Sequence, residues 1–409
     1  MLNKLNKLQL LKKGLNTNIL YRLAQAGTYI GTDDFMKEAL LYSIEETRKA
    51  YNSNKPVIWC STFIPSELVY SLGGVPFMPE VAAGFAATIG MADRALIESE
   101  GDWFNTDLCS IHRCGTGLMK QGLLPEPDYI IASSHLCDGA KKYLQYISYQ
   151  YDVPFYLLET PYYREEAPWL AEQLKEIIKD IGVGTQFESV FNYSNKAYQY
   201  HKKINQLRKK DSVTIPGDRV LNLIPLEFMS FGSKQGVKYF RKLAETLCER
   251  LENEELIVDE QKHRLLWLHL KPYYSQQIFS TLRNKGAVIA FEEYSQLYWD
   301  QLEIERPYLS LAQKMIDHFG WGPLQDQPDN IISLVDEYKI DGVIGFSQWG
   351  CRQSNGRMDI VNKVLKEKGI PFLNIDGDLV DSRNYREEQL ITRLEAFIEL
   401  IEIKKESQL

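Results

Sequence analysis

The chain has no uninterrupted run of eighteen apolar residues, so nothing in it reads as a membrane-spanning helix. It also lacks the continuous apolar segment and small-residue cleavage site of a secretory signal. Its N-terminus, MLNKLNKLQLLKKGL, is basic and amphipathic instead, and the cytoplasm is the expected location. No G-x-G-x-x-G follows a strand pattern and no G-x-x-x-x-G-K-[ST] occurs, which excludes the two common nucleotide-binding loops. Any ATP that the chemistry needs is then handled by another protein. Positive charge does not predominate: 47 Lys and Arg stand against 55 Asp and Glu, for a formal net charge of −8. That argues against a general nucleic-acid binder, which needs a basic face to neutralise phosphates. A local basic cluster, KKINQLRKK at 202–210, reads as a solvated helix face. Cysteine is scarce, six in 409 residues, too few for a disulfide scaffold. No C-x2-C pair of the kind used by structural zinc occurs; the closest pair is Cys109 and Cys114.

What remains is an ordinary globular composition, 44% hydrophobic and 25% charged, with length for two or three domains. Residues 1–53 carry apolar positions at helical spacing, with TDD as a cap near residue 32. Strand patterns follow at KPVIWCS, VPFMPE, DYIIASS and VPFYLLE, separated by helical stretches. A second series begins near residue 219, with strands at RLLWLHL, GAVIAFEE, DGVIGFSQ and IPFLNIDGD. Alternating strands and helices imply mainly parallel sheets covered by helices. The expected architecture is α/β: two Rossmann-like, flavodoxin-like parallel-sheet domains facing each other, with additional helical segments. The divisions are an N-terminal helical segment at 1–53, a first α/β domain at 54–163, a helical excursion at 164–218 and a second α/β domain at 219–409. The excursion is rich in tyrosine, which either packs it or shapes a pocket.

Sites in open parallel sheets form outside the carboxyl ends of the strands. Cys60, Cys137 and Cys351 all fall on such an edge, and Cys109 lies in a turn between elements. Two facing sheets would bring these edges to one cleft, where thiolates suit zinc or an iron–sulfur cluster. Unligated cysteines in turns remain an alternative. So does a thiol nucleophile, which needs a base such as His112 or His135. Cys248, within the helical pattern RKLAETLCERL, reads as a small buried hydrophobe. The acids of IDGDLVDSR read as cap and turn residues rather than as ligands of a divalent cation.

Four segments in order carry a family resemblance: WCSTFIPSELVYSLGGVPFMPE, DLCSIHRCGTGLMKQGLLPEPDYIIASSHLCDG, DGVIGFSQWGCRQSNGRMDIVNKVLKEKGIPFLNIDGD and TRLEAFIELI. In these the chain resembles subunits of the 2-hydroxyacyl-CoA dehydratase and benzoyl-CoA reductase family. The resemblance implies a [4Fe-4S] cluster between two α/β domains, held by Cys109, Cys137 and Cys351, with one iron position open. It sets Cys60 and Cys114 aside as ligands. It also implies that Thr62, with Ser61 as a near alternative, and Glu80 face the substrate. For these two the plain structural roles are a helix N-cap ahead of Pro65 and a solvated loop acid. The double-cubane relatives carry further cysteines, which are missing from FEEYSQLYWDQLEIERPYLSLAQK.

The activity implied is removal of water from an (R)-2-hydroxyacyl-CoA to give a 2-enoyl-CoA. One-electron reduction of the thioester gives a ketyl radical, which expels the neighbouring hydroxyl and acidifies the β-hydrogen; the electron is then returned. The implied partners are a homologous second subunit, an ATP-hydrolysing iron–sulfur activator and the acyl-CoA substrate, with no nucleic acid and no membrane. The alternatives are a subunit of an aryl-CoA dearomatising reductase of the benzoyl-CoA reductase type, a non-catalytic cluster-bearing electron-transfer subunit, and a metal-free binding protein.

Overall fold

A computed structural model describes residues 34–52, 54–182, 185–258 and 260–407. The basic N-terminal stretch and all but the last residue of TDD lie outside them. The first described helix is α1 (Asp34–Asn52). The first sheet is built from β1 (Val57–Cys60), β2 (Val75–Phe77), β3 (Tyr129–Ser133) and β4 (Phe155–Leu158), all parallel, in the order β2-β1-β3-β4. Between its strands lie α2 (Ser66–Ser71), α3 (Pro79–Thr88), α4 (Ala92–Gly101), α5 (Ser110–Lys120) and α6 (Asp138–Tyr151). Then come α7 (Ala167–Ile181), α8 (Phe187–Arg208), α9 (Gly217–Ser230) and α10 (Lys234–Glu252). The second sheet is also parallel and repeats the order as β6-β5-β7-β8, from β5 (His263–Leu268), β6 (Ala287–Glu292), β7 (Gly342–Gln348) and β8 (Phe372–Gly377). Its helices are α11 (Gln277–Asn284), α12 (Pro307–Ile316), α13 (Gln327–Glu337), α14 (Arg352–Glu367) and α15 (Glu387–Glu406).

The inner strands β1, β5 and β7 are buried on both faces, which is why they read as largely apolar runs. Side chains of a strand alternate between faces, and here the alternation divides the cores. Trp59 of β1, Ile130 of β3, Trp267 of β5 and Ile344 of β7 share one apolar core, so that core holds residues of both sheets. Ile58 and Ile131 point the other way, into a core closed by Leu170 and Leu174 of α7 and Leu311 and Met315 of α12. Leu266 and Leu268 pack with Leu334 of α13 and Leu365 of α14. A fourth assembly joins α1, α8, α9 and α10 through Tyr42, Ala197, Leu223 and Phe240. The 164–218 stretch is mostly helical; α7 covers the first sheet, whereas α8 packs on that core through Val190 and Phe191 and on the helical assembly through Ala197 and Ile204. No described helix is long and apolar enough to cross a membrane.

Two expectations need correction. Arg208, inside the basic cluster, is not solvated: it is buried and its Nη2 donates to Glu292 Oε1 at 2.7 Å. Its place on α8 turns it inward toward β6, while Lys202 and Lys203 are exposed. Cys248 is half-buried rather than buried, because it lies at the edge of the inward face of α10.

Charged groups tie the two series together. Arg113 of α5 is fully buried; its guanidinium donates to Asp381, beyond β8, at 3.1 Å and to Glu100 of α4 at 2.5 Å. Its Nε donates to the Leu108 carbonyl at 3.0 Å. Arg383 and these donors hold the Asp381 carboxyl below its ordinary range, although burial alone would raise it. Removing one partner of a buried pair strands the other charge in the interior. Arg113→Met is therefore expected to destabilise the chain by about 3–5 kcal/mol, read as a lower urea midpoint with an unchanged m-value.

Candidate metal centre

Three helices begin at a cysteine. Cys109 immediately precedes α5, Cys137 precedes α6 and Cys351 precedes α14. Cys137 and Cys351 follow the carboxyl ends of β3 and β7, as the strand-end reading expected. The first turn of a helix leaves backbone N–H groups unpaired. Here sulfur meets them: Ala140 N–H donates to Cys137 Sγ at 3.3 Å, and Ser354 N–H to Cys351 Sγ at 3.5 Å. The positive end of each helix dipole thus lies beside a sulfur, which favours a thiolate there.

All three cysteines line one cavity, which contains about 1060 Å³ of space not filled by atoms. Gly350 sits with φ +76°, and a Cβ there would come within 2.8–3.0 Å of backbone atoms of Asp107, Leu108 and Cys109. Only glycine lets the Cys109 loop lie against the turn that carries Cys351. Burial, then the Cys351 and Cys137 sulfurs, push the Cys109 thiol well above its ordinary range. Burial pushes the Cys137 thiol up to about 12, with Cys351 adding to the rise against the Ala140 N–H. Thiols that suppress one another's ionisation lose that penalty when a cationic group binds. No three His, Cys, Asp or Glu among the described residues are spaced to hold a single metal ion. Three cysteine sulfurs on one cavity are nonetheless soft donors, the ligand type that iron–sulfur groups use.

The same cavity is lined by Thr62 and Glu80. Glu80 occupies the first turn of α3, and its carboxylate accepts the backbone N–H of Thr62 and its own. Its Oε2 is buried with no partner, and burial pushes the acid up to about 7. It is not a solvated loop acid. Thr62 does not cap a helix either, since Pro65 immediately precedes α2 and no side chain caps it. Ser61, by contrast, is buried away from the cavity lining with its hydroxyl unpaired.

Cys60 ends β1 inside the apolar core beside Ile58 and Leu68, and Cys114 is buried within α5. Neither lines the cavity. The nucleophile alternative lacks a strong base: burial pushes His112 down to about 4 and His135 to about 3. His112 stacks on Tyr143 at 4.8 Å, and neither ring nitrogen of His135 has a hydrogen-bond partner. Asp378 and Asp381 play the turn roles expected of the IDGDLVDSR acids: Asp378 Oδ1 accepts the N–H groups of Val380 and Asp381.

Sequence reading missed two neighbours of the sulfurs. His269 follows β5 directly, and its Nε2 lies 3.9 Å from Cys351 Sγ. Arg357 lines the cavity and donates both Nη groups to Glu293 at 2.5 Å, with both side chains buried. The sequence hid His269, because RLLWLHL reads as one strand running through it. A second pocket adjoins the first, sharing Thr62, Phe63, Phe228 and Tyr294. The tyrosines of 164–218 line neither; those that do are Tyr273, Tyr294 and Tyr298.

Comparison with known proteins gives a match over residues 61–401 to a family described as 2-hydroxyglutaryl-CoA dehydratase, D-component. The chain is 21% identical over 399 residues to the (R)-phenyllactyl-CoA dehydratase alpha subunit of Clostridium sporogenes, covering 91% of this chain and 96% of that one. It is 24% identical over 389 residues to the (R)-2-hydroxyisocaproyl-CoA dehydratase alpha subunit of Clostridioides difficile, covering 87% and 93%. It is 21% identical over 415 residues to a benzoyl-CoA reductase subunit of Thauera aromatica, covering 90% and 94%.

Proposed function

The chain belongs to the 2-hydroxyglutaryl-CoA dehydratase D-component family, and from that premise we propose that it is the iron–sulfur subunit of an (R)-2-hydroxyacyl-CoA dehydratase. The observation that carries this reading is one cavity lined by Cys109, Cys137 and Cys351 together with Thr62 and Glu80. The three cysteines would hold a [4Fe-4S] cluster with one iron free of protein ligands. When bound, that group supplies a low-potential electron and a Lewis-acidic iron to the thioester carbonyl.

The rest of the work falls to the chain's own residues. Dehydration removes the hydroxyl from C2 and a proton from C3. Glu80, with its acidity near 7 and one oxygen unpaired, is matched to taking up that proton at neutral pH. The Thr62 backbone N–H fixes its carboxylate, and the hydroxyl of Thr62, which lines the same cavity, would bind the departing hydroxyl. Phe63, Phe228, Leu270 and Phe319 give the cavity an apolar wall that excludes water. Two of the relatives named above are alpha subunits, so a homologous second subunit completes the enzyme. The low potential that the reaction needs calls for an electron donor, and the family resemblance makes it an ATP-hydrolysing iron–sulfur activator.

The similarity to a benzoyl-CoA reductase keeps one second reading in view. Electron accounting separates them. Dehydration returns its electron, so many molecules of 2-enoyl-CoA are expected per electron supplied by the activator. Reduction consumes two electrons per product, and a cyclic diene from an aryl-CoA would overturn the dehydratase assignment. Reduction of the cluster with no radical signal on adding either thioester would instead favour an electron-transfer subunit.

A further inference from the structure

His269 departs from two norms at once. Its backbone adopts φ +73°, the left-handed region that side chains rarely occupy, although histidine enters it more readily than most. Its ring is buried, and Nδ1 has no hydrogen-bond partner. Strained backbone persists where surrounding contacts over-determine it, and such residues gather at functional sites.

The surrounding contacts are identifiable. The His269 N–H donates to Glu293 Oε2 at 3.3 Å, and Glu293 is itself clamped by both Nη groups of Arg357. The ring meets Tyr294 edge-on at 6.0 Å. β5 and β7 are adjacent strands, so a residue just past β5 is delivered beside the turn that carries Cys351. The product of this scaffold is the Nε2 to Sγ approach of 3.9 Å, within N–H···S reach and far longer than a bond.

The tautomer follows from what each nitrogen meets. A neutral imidazole carries one N–H. Placing it on Nδ1 leaves a buried donor unpaired and turns the Nε2 lone pair toward the sulfur. Placing it on Nε2 pairs it with the sulfur and leaves only an acceptor unmet. Against a metal-bound thiolate, which accepts and never donates, the second arrangement is the favourable one.

We propose that His269 is a positioning residue for Cys351: its Nε2–H donates a hydrogen bond to Cys351 Sγ and raises the reduction potential of the iron–sulfur group that Cys109, Cys137 and Cys351 hold. This rests on the cluster reading above. The physical cause is that an added electron increases negative charge on the sulfurs, so a donor aimed at one of them stabilises the reduced form more than the oxidised form.

The test is a redox titration of the anaerobically reconstituted full chain, with iron and sulfide measured alongside. His269→Asn tolerates the left-handed backbone but is too short to reach the sulfur. It is expected to lower the reduced-to-oxidised ratio at a fixed poise about tenfold, 59 mV for one electron. His269→Gln restores a longer amide donor and is expected to recover at least half of that shift, with iron content equal in all three proteins. An unchanged potential in His269→Asn overturns the role of His269 alone, as does an equal fall in His269→Gln. Loss of iron from both variants overturns it too, because it makes His269 a ligand or a support of the fold. A wild-type chain that holds no iron–sulfur group overturns the cluster reading and this proposal together.

Discussion

Replacing Cys351 by serine is expected to strip the anaerobically purified protein of most of its iron and acid-labile sulfide. Cys109→Ser and Cys137→Ser should do the same. The effect should be large because each sulfur belongs to a different stretch of chain, so two remaining thiolates cannot close the site. Loss of a mere supporting partner costs about 10–100-fold in metal affinity, and loss of a ligand should exceed that. Serine keeps the place at the start of α14, where its hydroxyl can accept the Ser354 N–H, so the helix itself is preserved. The controls are Cys248→Ser, Cys60→Ala and Cys114→Ala. Cys248 is half-buried on α10, and the other two lie in apolar cores outside the cavity lining. All three should retain full iron. If Cys248→Ser lost as much iron as Cys351→Ser, or if neither did, the three-sulfur site would be wrong.

Much of this site was legible because the residues that build it sit where strand patterns stop. Cys137 and Cys351 stood out because each follows a largely apolar run, and a parallel sheet buried on both faces leaves such runs in the sequence. Cys109 has no strand before it, and only the order of the family segments picked it out. What could not be read is contact between distant segments. The Arg357–Glu293 pair spans 64 residues and the His269–Cys351 approach spans 82. His269 also reads as part of a longer strand in RLLWLHL, yet β5 stops at Leu268 and the chain turns left-handed at the next residue. Nothing in side-chain periodicity marks such a turn when the residue is not glycine. The same limit applies to Arg208: charge pattern suggests solvent, and only the fold reveals Glu292 opposite it.

Glu80→Gln should lower turnover by about 100- to 10,000-fold while leaving iron content intact, the usual range for removing a general base. Two pH measurements separate a catalytic role from a structural one. With its acidity near 7, wild-type Glu80 is protonated below neutrality, so the rate should rise with pH through about 7 if the carboxylate takes the C3 proton. Glutamine does not titrate, and the residual rate of the variant should lose that step. Stability moves in the opposite sense. Burial raises the folded-state pKa of Glu80 above the ordinary carboxylate value, so above that ordinary value the unfolded chain gains by ionising sooner. Its contribution to stability is therefore fully present below the ordinary carboxylate range and is lost as pH rises through about 7. Glu80→Gln should accordingly melt higher than wild type at pH 8 and show little advantage at pH 4. A base held near neutrality by a dry cavity weakens the fold at the same pH where it serves the reaction, so a variant that is both slower and more stable at pH 8 is the outcome this site demands. A variant with wild-type turnover would remove Glu80 from the reaction, whatever its stability.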